Sequence, residues 1–296
     1  MNIALIILAA GKGTRMQSEL PKVLHEVAGA PMLVHAMRAG RALDPKRTII
    51  IAGHGFEAVS AAACAEDPEV EVVRQEAQLG TGHAVDQARA ALSDFDGTVI
   101  VLYGDCPLIQ SRTLEELSAT LSDSAVSVLG FEAKDPARYG RLITDGDKLK
   151  RIVEFKDASP AERAVSLCNS GVMAASAGLL FDLLSEIDAN NASGELYLTD
   201  VIGKAVARGL PCTAVRCAER ETLGVNSRVE LMQAEKEFQN LRRTEALEDG
   251  VTMPAPETVH FSYDTVIGRD TIIEQNVVFG PGVTVESGAQ IRAFSH

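Results

Sequence analysis

The first apolar run of the chain leads directly into a glycine-rich loop, and this pairing constrains the fold most. Residues Ile3 to Leu8 are all apolar, as is typical of a strand buried on both faces in a parallel sheet. The loop that follows reads Ala9-Ala10-Gly11-Lys12-Gly13-Thr14-Arg15. Glycines after such a strand let backbone N–H groups approach phosphate oxygens closely. The sequence therefore predicts an α/β fold with an anion-binding loop near the N-terminal end.

Positive charge is concentrated in this loop, although the chain as a whole is acidic. The formal net charge is −13, yet Lys12, Arg15 and Lys22 supply three cations within eleven positions. Lysine and arginine both bind phosphate, so we interpret the loop as a site for a polyanionic ligand. In the alternative interpretation, the glycines only turn the chain and the cations are solvated. The loop matches neither the P-loop nor the dinucleotide fingerprint, because Met16 stands where the latter needs its third glycine.

Short apolar runs alternate with helical patterns over the first part of the chain. The predicted strands are Ile3–Leu8, Thr48–Ala52, Val70–Val73 and Thr98–Tyr103, and the predicted helices are Pro31–Leu43, Gly55–Ala63, Gly82–Leu92 and Ser111–Leu121. This alternation predicts a largely parallel sheet, which binds ligands at the carboxyl ends of its strands. A hairpin signal at Asp145-Gly146 predicts that the sheet becomes mixed further along.

Asp105 follows one of the predicted strands, at the edge where a ligand would bind. A carboxylate beside bound phosphate predicts a Mg²⁺ ligand, because Mg²⁺ prefers hard oxygen donors. The alternative is a turn aspartate before Pro107 or a cap for the helix that begins near Ser111. Gln75 and the run Leu79-Gly80-Thr81-Gly82 precede another predicted helix, where they would suit a base or a phosphate. The alternative there is a simple helix cap by Thr81.

The C-terminal part follows two further patterns. Residues 228–249 contain no Pro or Gly and are rich in Glu, Arg, Gln and Leu, which predicts a long, solvated connecting helix. Beyond it, apolar residues recur every six positions at Ile267, Ile273, Phe279, Val285 and Ile291. A six-residue period is the signature of a parallel β-helix. We therefore predict domains at 1–227, 228–249 and 250–296, and we expect the full protein to continue into a longer β-helix.

The overall composition excludes several classes of function. An acidic chain with a pI near 5.0 lacks the basic face that nucleic acid requires. No apolar run approaches the roughly 18 residues of a membrane span, and we predict neither a membrane span nor a signal peptide. The five cysteines are scattered and form no C-x-x-C motif, which favours reduced thiols in a cytoplasmic protein.

Taken in order, the motifs resemble those of the sugar-nucleotide pyrophosphorylases. More narrowly, they resemble the bacterial bifunctional enzymes that make UDP-N-acetylglucosamine. The matching motifs are the Leu8–Met16 loop, Pro21-Lys22-Val23-Leu24-His25, Gln75, Leu79-Gly80-Thr81-Gly82-His83-Ala84, Tyr103-Gly104-Asp105, Tyr139-Gly140-Arg141, Val153-Glu154, Asn169-Ser170-Gly171, Gly194-Glu195-Leu196-Tyr197-Leu198-Thr199-Asp200 and Gly224-Val225-Asn226. The resemblance implies a Rossmann-like nucleotidyltransferase fold, a helical linker and the start of a left-handed β-helix.

The resemblance also assigns roles to residues. It implies that a uridine nucleotide is held by Leu8, Ala9, Ala10, Gly11, Lys22, Gln75, Gly80 and Thr81. It places Tyr103, Gly104, Gly140, Glu154, Asn169 and Asn226 on the sugar side. Arg15 and Lys22 would be the catalytic residues, because they would neutralise phosphate charge. Asp105 and Asn226 would coordinate Mg²⁺ as the cofactor.

The implied reaction joins UTP and N-acetylglucosamine-1-phosphate to give UDP-N-acetylglucosamine, for peptidoglycan and lipopolysaccharide precursors, and pyrophosphate. A longer parent protein would also acetylate glucosamine-1-phosphate with acetyl-CoA and would assemble as a homotrimer through its β-helix. Ser170, Phe155 and Cys106 depart mildly from the family pattern, which affects the expected sugar selectivity only. The alternatives are another sugar-1-phosphate nucleotidyltransferase and a non-catalytic scaffold that binds nucleotide sugars.

Overall fold

Strands and helices alternate along most of the chain, as the sequence predicts. The computed structural model describes residues 2–146 and 148–296; Met1 and Asp147, both in the first predicted domain, lie outside the described residues. The strands are β1 (Ile3–Ala9), β2 (Glu26–Val27), β3 (Ala30–Pro31), β4 (Arg47–Ala52), β5 (Glu71–Arg74), β6 (Thr98–Tyr103), β7 (Val126–Glu132), β8 (Arg141–Asp145), β9 (Lys148–Val153), β10 (Leu167–Ser176), β11 (Cys212–Cys217), β12 (Val266–Ile267), β13 (Ile272–Ile273), β14 (Thr284–Val285) and β15 (Gln290–Ile291). The helices are α1 (Met32–Arg41), α2 (Phe56–Glu66), α3 (Thr81–Asp86), α4 (Ser111–Ala119), α5 (Pro160–Arg163), α6 (Ala177–Leu184), α7 (Asp200–Ala207) and α8 (Arg228–Glu248).

One nine-stranded mixed sheet forms the centre of the described residues. Its strand order is β5-β4-β1-β6-β10-β7-β11-β9-β8. Strands β5, β4, β1 and β6 run parallel to one another, whereas β10 runs antiparallel to both β6 and β7. The predicted mixed sheet is therefore confirmed, and the hairpin at residues 145–146 joins β8 to β9.

Strand β1 is buried along its whole length because both faces of the sheet are covered. Ala4, Ile6 and Leu8 point into one hydrophobic cluster. Leu5 and Ile7 point into another on the opposite face. Since side chains alternate across a strand, a uniformly apolar run is what a strand in this position requires.

The parallel pairing of β1 with β6 places the two predicted ligand-binding segments side by side. Leu8 is the register partner of Tyr103, and the Gly104 N–H donates to the Leu8 carbonyl at 3.0 Å. The glycine-rich loop and Asp105 therefore leave the sheet at the same edge. This placement agrees with the expectation that ligands bind at the carboxyl ends of parallel strands.

One local prediction near this edge is wrong, and the start of a second predicted element differs by one residue. The helix predicted over 82–92 ends at Asp86, because hydrogen bonds from Ala88 and Arg89 reach back three residues in tight turns. The helix predicted from Pro31 begins at Met32, because a short β2–β3 hairpin comes first. The hairpin turn contains Ala28 at a φ of 51°, a left-handed conformation that nothing in the sequence signals.

The long helix α8 has nearly the predicted boundaries, but it is not simply solvated. Ala234 and Phe238 pack against the β2–β3 hairpin region. The Gln239 side chain forms two hydrogen bonds with the backbone of Phe261, at 2.7 and 2.8 Å. One face of α8 therefore connects the sheet domain to the C-terminal repeat.

In the repeat, residues 18 positions apart pair as parallel neighbours. Val266 pairs with Thr284, and Ile273 pairs with Ile291. The five residues of the predicted six-residue period all belong to one apolar cluster, together with Phe261. Each turn of this segment therefore contains three of the predicted six-residue units.

Within residues 2–146 and 148–296, none of the helices has both the length and the apolar character that crossing a membrane needs.

Two helical glycines give opposite predictions for stability. A Cβ on Gly40 in α1 would lie 2.4 Å from Leu5 Cδ1 in the core, whereas Gly178 in α6 has nothing within 4 Å. We expect Gly40→Ala to lower the free energy of unfolding by about 1–3 kcal/mol through overpacking. Gly178→Ala should raise it by roughly 0.5–1 kcal/mol, because alanine loses less backbone entropy on folding. Urea denaturation of both variants measures the difference, and equal effects would contradict this packing of α1.

Candidate active site

A cavity of about 310 Å³ opens at the carboxyl ends of β1 and β6. It is lined by all eight residues that the resemblance assigns to the nucleotide, which are Leu8, Ala9, Ala10, Gly11, Lys22, Gln75, Gly80 and Thr81. Tyr103 and Asp105 line the same cavity. Its volume lies at the lower end of the range typical of small-ligand sites, roughly 300–1,000 Å³.

Lys22 lies at the centre of a charged cluster on the wall of this cavity. Its Nζ donates a hydrogen bond to Asp105 Oδ2 and another, of 2.9 Å, to Asn226 Oδ1. The Lys22 and Asp105 side chains are only 12% and 16% exposed, so water screens this pair weakly. A carboxylate oxygen and an amide oxygen therefore converge on a single cationic position.

The local backbone explains how Lys22 reaches this cluster. Gly13 has a φ of 60°, and a Cβ there would lie 2.5 Å from the Cβ of Lys22. Only glycine permits this close approach without strain. The second glycine of the predicted anion-binding loop therefore lets residue 22 pack against the loop.

Asp105 and Asn226 are each held by further hydrogen bonds. The Asn226 amide group donates to the Gly224 carbonyl at 3.2 Å, and its backbone N–H donates to Glu230 at 2.7 Å. The Cys106 thiol donates to Asp105 Oδ1 at 3.6 Å, and burial raises its pKa well above the usual value, so it stays protonated. Because α4 begins at Ser111 after Gln110, Asp105 does not cap that helix, whereas its position in a turn after β6 agrees with the other alternative, a turn aspartate.

The oxygens of Asp105 and Asn226 suit a divalent cation that is completed by a ligand. In the described part of the chain, no group of three or more His, Cys, Asp or Glu side chains could hold a metal ion. Mg²⁺ usually takes one or two protein ligands and fills its remaining positions with phosphate oxygens and water. Two convergent oxygens beside a nucleotide-sized cavity fit that donor set.

The segment around Gly80 is shaped by its contact with the segment that precedes α7. Gly80 has a φ of 113°, and a Cβ there would lie 2.5 Å from the Leu196 carbonyl oxygen. The Thr81 hydroxyl accepts a hydrogen bond from the Leu198 N–H at 3.0 Å. The interpretation of Thr81 as the helix cap is therefore wrong, since the residue before α3 is Gly80 and the hydroxyl is used elsewhere.

Arg15 does not line the cavity in this structure. It lies in a single 3₁₀ turn, Thr14–Met16, and its side chain is exposed. Met16, the next residue, is fully buried and anchors the turn. Of the two residues predicted to be catalytic, the structure thus brings Lys22 to the cavity and leaves Arg15 on the adjoining loop.

The predicted sugar-side residues meet in a neighbouring region. A Cβ on Gly140 would lie 3.4 Å from the Glu154 carboxylate oxygens and 3.5 Å from the Asn169 Cβ. The Asn169 N–H donates to the Gly140 carbonyl at 2.8 Å. Tyr103 reaches the edge of this region, because Gly171 leaves room for its ring. Gly104 contributes through its backbone bond to Leu8 rather than through a free N–H.

Burial alters the ionisation of the sugar-side groups. It raises the pKa of the Glu154 carboxyl, which lines a cleft of about 360 Å³ beside the main cavity. A hydrogen bond of 3.2 Å from the Thr199 hydroxyl opposes this shift. Burial also raises the pKa of the Tyr103 hydroxyl, so it remains a neutral hydrogen-bonding group.

Two residues in this region were missed by the sequence analysis. The Gln78 side chain donates to the Ala10 carbonyl at 2.7 Å and closes one side of the cavity. Arg141 is only 2% exposed and donates to the carbonyls of Tyr139, Ala137 and Arg163, so it holds the loop that carries Gly140. Gln78 lies next to a matched motif and Arg141 belongs to one, but no role was predicted for either, because a sequence does not show that an arginine is buried against carbonyl groups.

The chain is similar both to named proteins and to solved structures. Proteins named Bifunctional protein GlmU are similar over the whole chain, with 61% identity in Roseobacter denitrificans and 63% in Ruegeria sp. TM1040. The chain spans 66% of the length of each of these relatives.

Among solved structures, UDP-glucose pyrophosphorylase complexed with UDP-glucose has a TM-score of 0.66 at 17% identity, covering 82% of this chain and 100% of that one. The inositol-1-phosphate CTP transferase from T. maritima has a TM-score of 0.61 at 15% identity, covering 79% and 96%. These similarities show a shared Rossmann-like nucleotidyltransferase fold. The family model described as MobA-like NTP transferase domain matches residues 5–177, which is more than half of the sequence, so the chain belongs to the MobA-like NTP transferase domain family.

Proposed function

We propose that the chain transfers UMP from UTP to N-acetylglucosamine-1-phosphate and releases pyrophosphate. The observation that carries this proposal is one cavity lined by all eight nucleotide-side residues, in which Lys22 is paired with Asp105. The similarity to the GlmU proteins supports it, as does the shared fold with a pyrophosphorylase that holds UDP-glucose.

The reaction needs positioning and charge neutralisation more than covalent catalysis. A sugar phosphate oxygen attacks the α-phosphorus of UTP in line, the bond to pyrophosphate breaks, and no protein nucleophile takes part. Lys22, on the cavity wall, is placed to stabilise negative charge on the reacting phosphates. Arg15 would reach the departing pyrophosphate from the adjoining loop. Asp105 and Asn226 would hold Mg²⁺, which supplies further neutralisation of phosphate charge when bound.

The sugar would lie between Tyr103 and the group formed by Gly140, Glu154 and Asn169. A carboxylate accepts hydrogen bonds from sugar hydroxyls, and an asparagine side chain both donates and accepts them. Gly104 and Asn226 would border the same sugar at its phosphate end. The Gly140 backbone suits close approach, because no side chain separates it from Glu154.

We further propose that residues 1–227 form the uridylyltransferase domain, 228–249 the helical linker and 250–296 the first coils of a left-handed β-helix. The parallel pairing of residues 18 positions apart supports this interpretation of the repeat. A longer protein of this kind would form a cytoplasmic homotrimer through the β-helix and would use acetyl-CoA in its later coils.

The decisive test of the proposed function is pyrophosphate release from UTP and N-acetylglucosamine-1-phosphate in the presence of Mg²⁺. We expect release from the wild-type chain and a loss of about 100-fold or more in kcat/KM for Asp105→Ala, because the carboxylate holds the metal beside the reacting phosphates. N-acetylgalactosamine-1-phosphate provides the matched substrate control. Equal rates with both sugar phosphates would assign the chain to another nucleotidyltransferase, and UTP binding without any release would favour the binding scaffold.

Arg15→Ala tests the role of the exposed loop. We expect kcat to fall about tenfold or more while the KM for UTP changes little, because the guanidinium acts on charge that develops in the transition state. Steady-state kinetics with UTP as the varied substrate measure both constants. Lys12→Ala, on the same loop and also exposed, serves as the control. A rise in the KM for UTP with unchanged kcat would assign Arg15 to ground-state binding instead.

Glu154→Gln should change stability and substrate binding in opposite directions, by stabilising the fold and weakening the binding of the sugar phosphate. Because the pKa of Glu154 is raised above its ordinary 4.5 in the folded protein, the native state binds more protons than the unfolded state just above that value. Its carboxylate therefore lowers stability at neutral pH. We expect Glu154→Gln to stabilise the protein at pH 7, by an amount that shrinks as the pH falls towards 4.5.

The same variant should raise the KM for the sugar phosphate and leave the KM for UTP unchanged. Urea denaturation at several pH values and steady-state kinetics measure the two effects. A loss of stability at pH 7 would show that the carboxylate contributes more through its bond with Thr199 than its burial costs.

A further inference from the structure

We propose that Lys22 is a built-in competitor of the divalent metal, which occupies the cation position between Asp105 and Asn226 until a bound nucleotide draws it away. This inference rests on the proposed function, because Asp105 and Asn226 are the metal ligands proposed there. It adds a property that the reaction alone does not require, namely that metal and nucleotide bind in a coupled way.

The geometry allows only one cation at this position. Lys22 Nζ donates to both Asp105 Oδ2, on the cavity wall, and Asn226 Oδ1. The ammonium and the carboxylate are 12% and 16% exposed, so little water screens a second charge. Like charges a few ångströms apart repel strongly where little water screens them. A divalent cation therefore cannot enter while the ammonium stays.

Asp105 and Asn226 are restrained by further hydrogen bonds, whereas the Lys22 side chain can move once its ammonium finds another partner. The Asn226 side-chain amide donates to the Gly224 carbonyl at 3.2 Å, and the Cys106 thiol donates to Asp105 Oδ1 at 3.6 Å. The Asp105 backbone carbonyl also accepts from the Val225 N–H at 2.9 Å. Lys22 is restrained at its base, where its Cβ packs against Gly13. Beyond that base lies a four-carbon stem with freely rotating bonds. Exchange of one cation for another thus requires movement of the lysine side chain alone.

The phosphates of a bound nucleotide offer the Lys22 ammonium a new counter-charge when it moves away from Asp105 and Asn226. Lys22 also lines the cavity with Gly11 and Gln75, so phosphate groups bound there lie within reach of its ammonium. A lysine that moves from the carboxylate to a phosphate keeps a counter-charge, and the released oxygens become free for the metal. Because binding coupling is reciprocal, nucleotide then strengthens metal binding and metal strengthens nucleotide binding.

The test measures Mn²⁺ binding by electron paramagnetic resonance, with the metal alone and no nucleotide. Mn²⁺ shares the preference of Mg²⁺ for oxygen ligands and gives a direct signal. We expect Lys22→Met, which removes the charge and keeps the length, to bind Mn²⁺ about tenfold or more tightly than the wild type, within the usual range of coupling between sites. Lys22→Arg keeps the charge and should bind as weakly as the wild type. Adding Asp105→Asn to Lys22→Met should abolish the gain, which places the metal at this cluster.

Several outcomes would overturn the inference. They are equal Mn²⁺ affinity in Lys22→Met and the wild type, equal gains in Lys22→Arg and Lys22→Met, and no Mn²⁺ binding in any variant. Lys22→Gln is a second neutral variant in case the methionine disturbs folding, which thermal denaturation reports.

The readout needs no turnover, so it is independent of the proposed reaction. A wild-type chain that releases no pyrophosphate, combined with the expected order of Mn²⁺ affinities, would defeat the proposed reaction and leave the competition intact. Pyrophosphate release by the wild-type chain, combined with equal Mn²⁺ affinities in the wild type and Lys22→Met, would defeat only the proposed competition.

Discussion

The parallel pairing of β1 with β6 is the interaction on which the rest of the site depends. It sets Leu8 opposite Tyr103, and this register brings the glycine-rich loop and Asp105 out of the sheet at one edge. The β1 side chains fill close-packed hydrophobic clusters on both faces of the sheet, and a slip of one residue would exchange side chains of different size between the two clusters, so close packing fixes the register. The hydrophobic core thereby decides where the charged groups of the cavity stand.

Asn226 reaches the cavity through a different kind of constraint. It lies just before the N-cap residue of α8, Ser227, whose hydroxyl accepts a hydrogen bond from the Glu230 N–H. The Glu230 carboxylate in turn accepts from the Asn226 N–H and so ties Asn226 to the helix start. Arg228 adds a hydrogen bond to the Met16 carbonyl, which links this helix start to the anion-binding loop. A helix that also contacts the C-terminal repeat therefore carries one of the groups around Lys22.

Several charged side chains around the cavity are largely buried, which costs folding stability but strengthens their interaction with a charged ligand. Lys22 and Asp105 are desolvated as a pair, and Glu154 is buried with a raised pKa. Desolvated charges contribute little to stability and can lower it, yet they interact strongly with a charged ligand in the same setting. The buried Arg141, whose guanidinium donates to the backbone carbonyls of Ala137, Tyr139 and Arg163, follows the same principle on the sugar side. Desolvated charged groups thus lie on both the nucleotide side and the sugar side of the proposed site.

The sequence by itself determined the alternation of strands and helices, the mixed sheet, the helix at 228–249 and the six-residue period, because each follows from local patterns of apolar residues. Motif resemblance also gave the residues that surround the cavity. Neither the local patterns nor the resemblance predicted the β2–β3 hairpin, the early end of α3 or the exposed position of Arg15, since these depend on contacts between distant segments. The meeting of Lys22, Asp105 and Asn226 also belongs to the tertiary structure. These residues are 83 and 204 positions from Lys22 in the chain, and only the folded sheet and α8 bring their side chains within hydrogen-bonding distance.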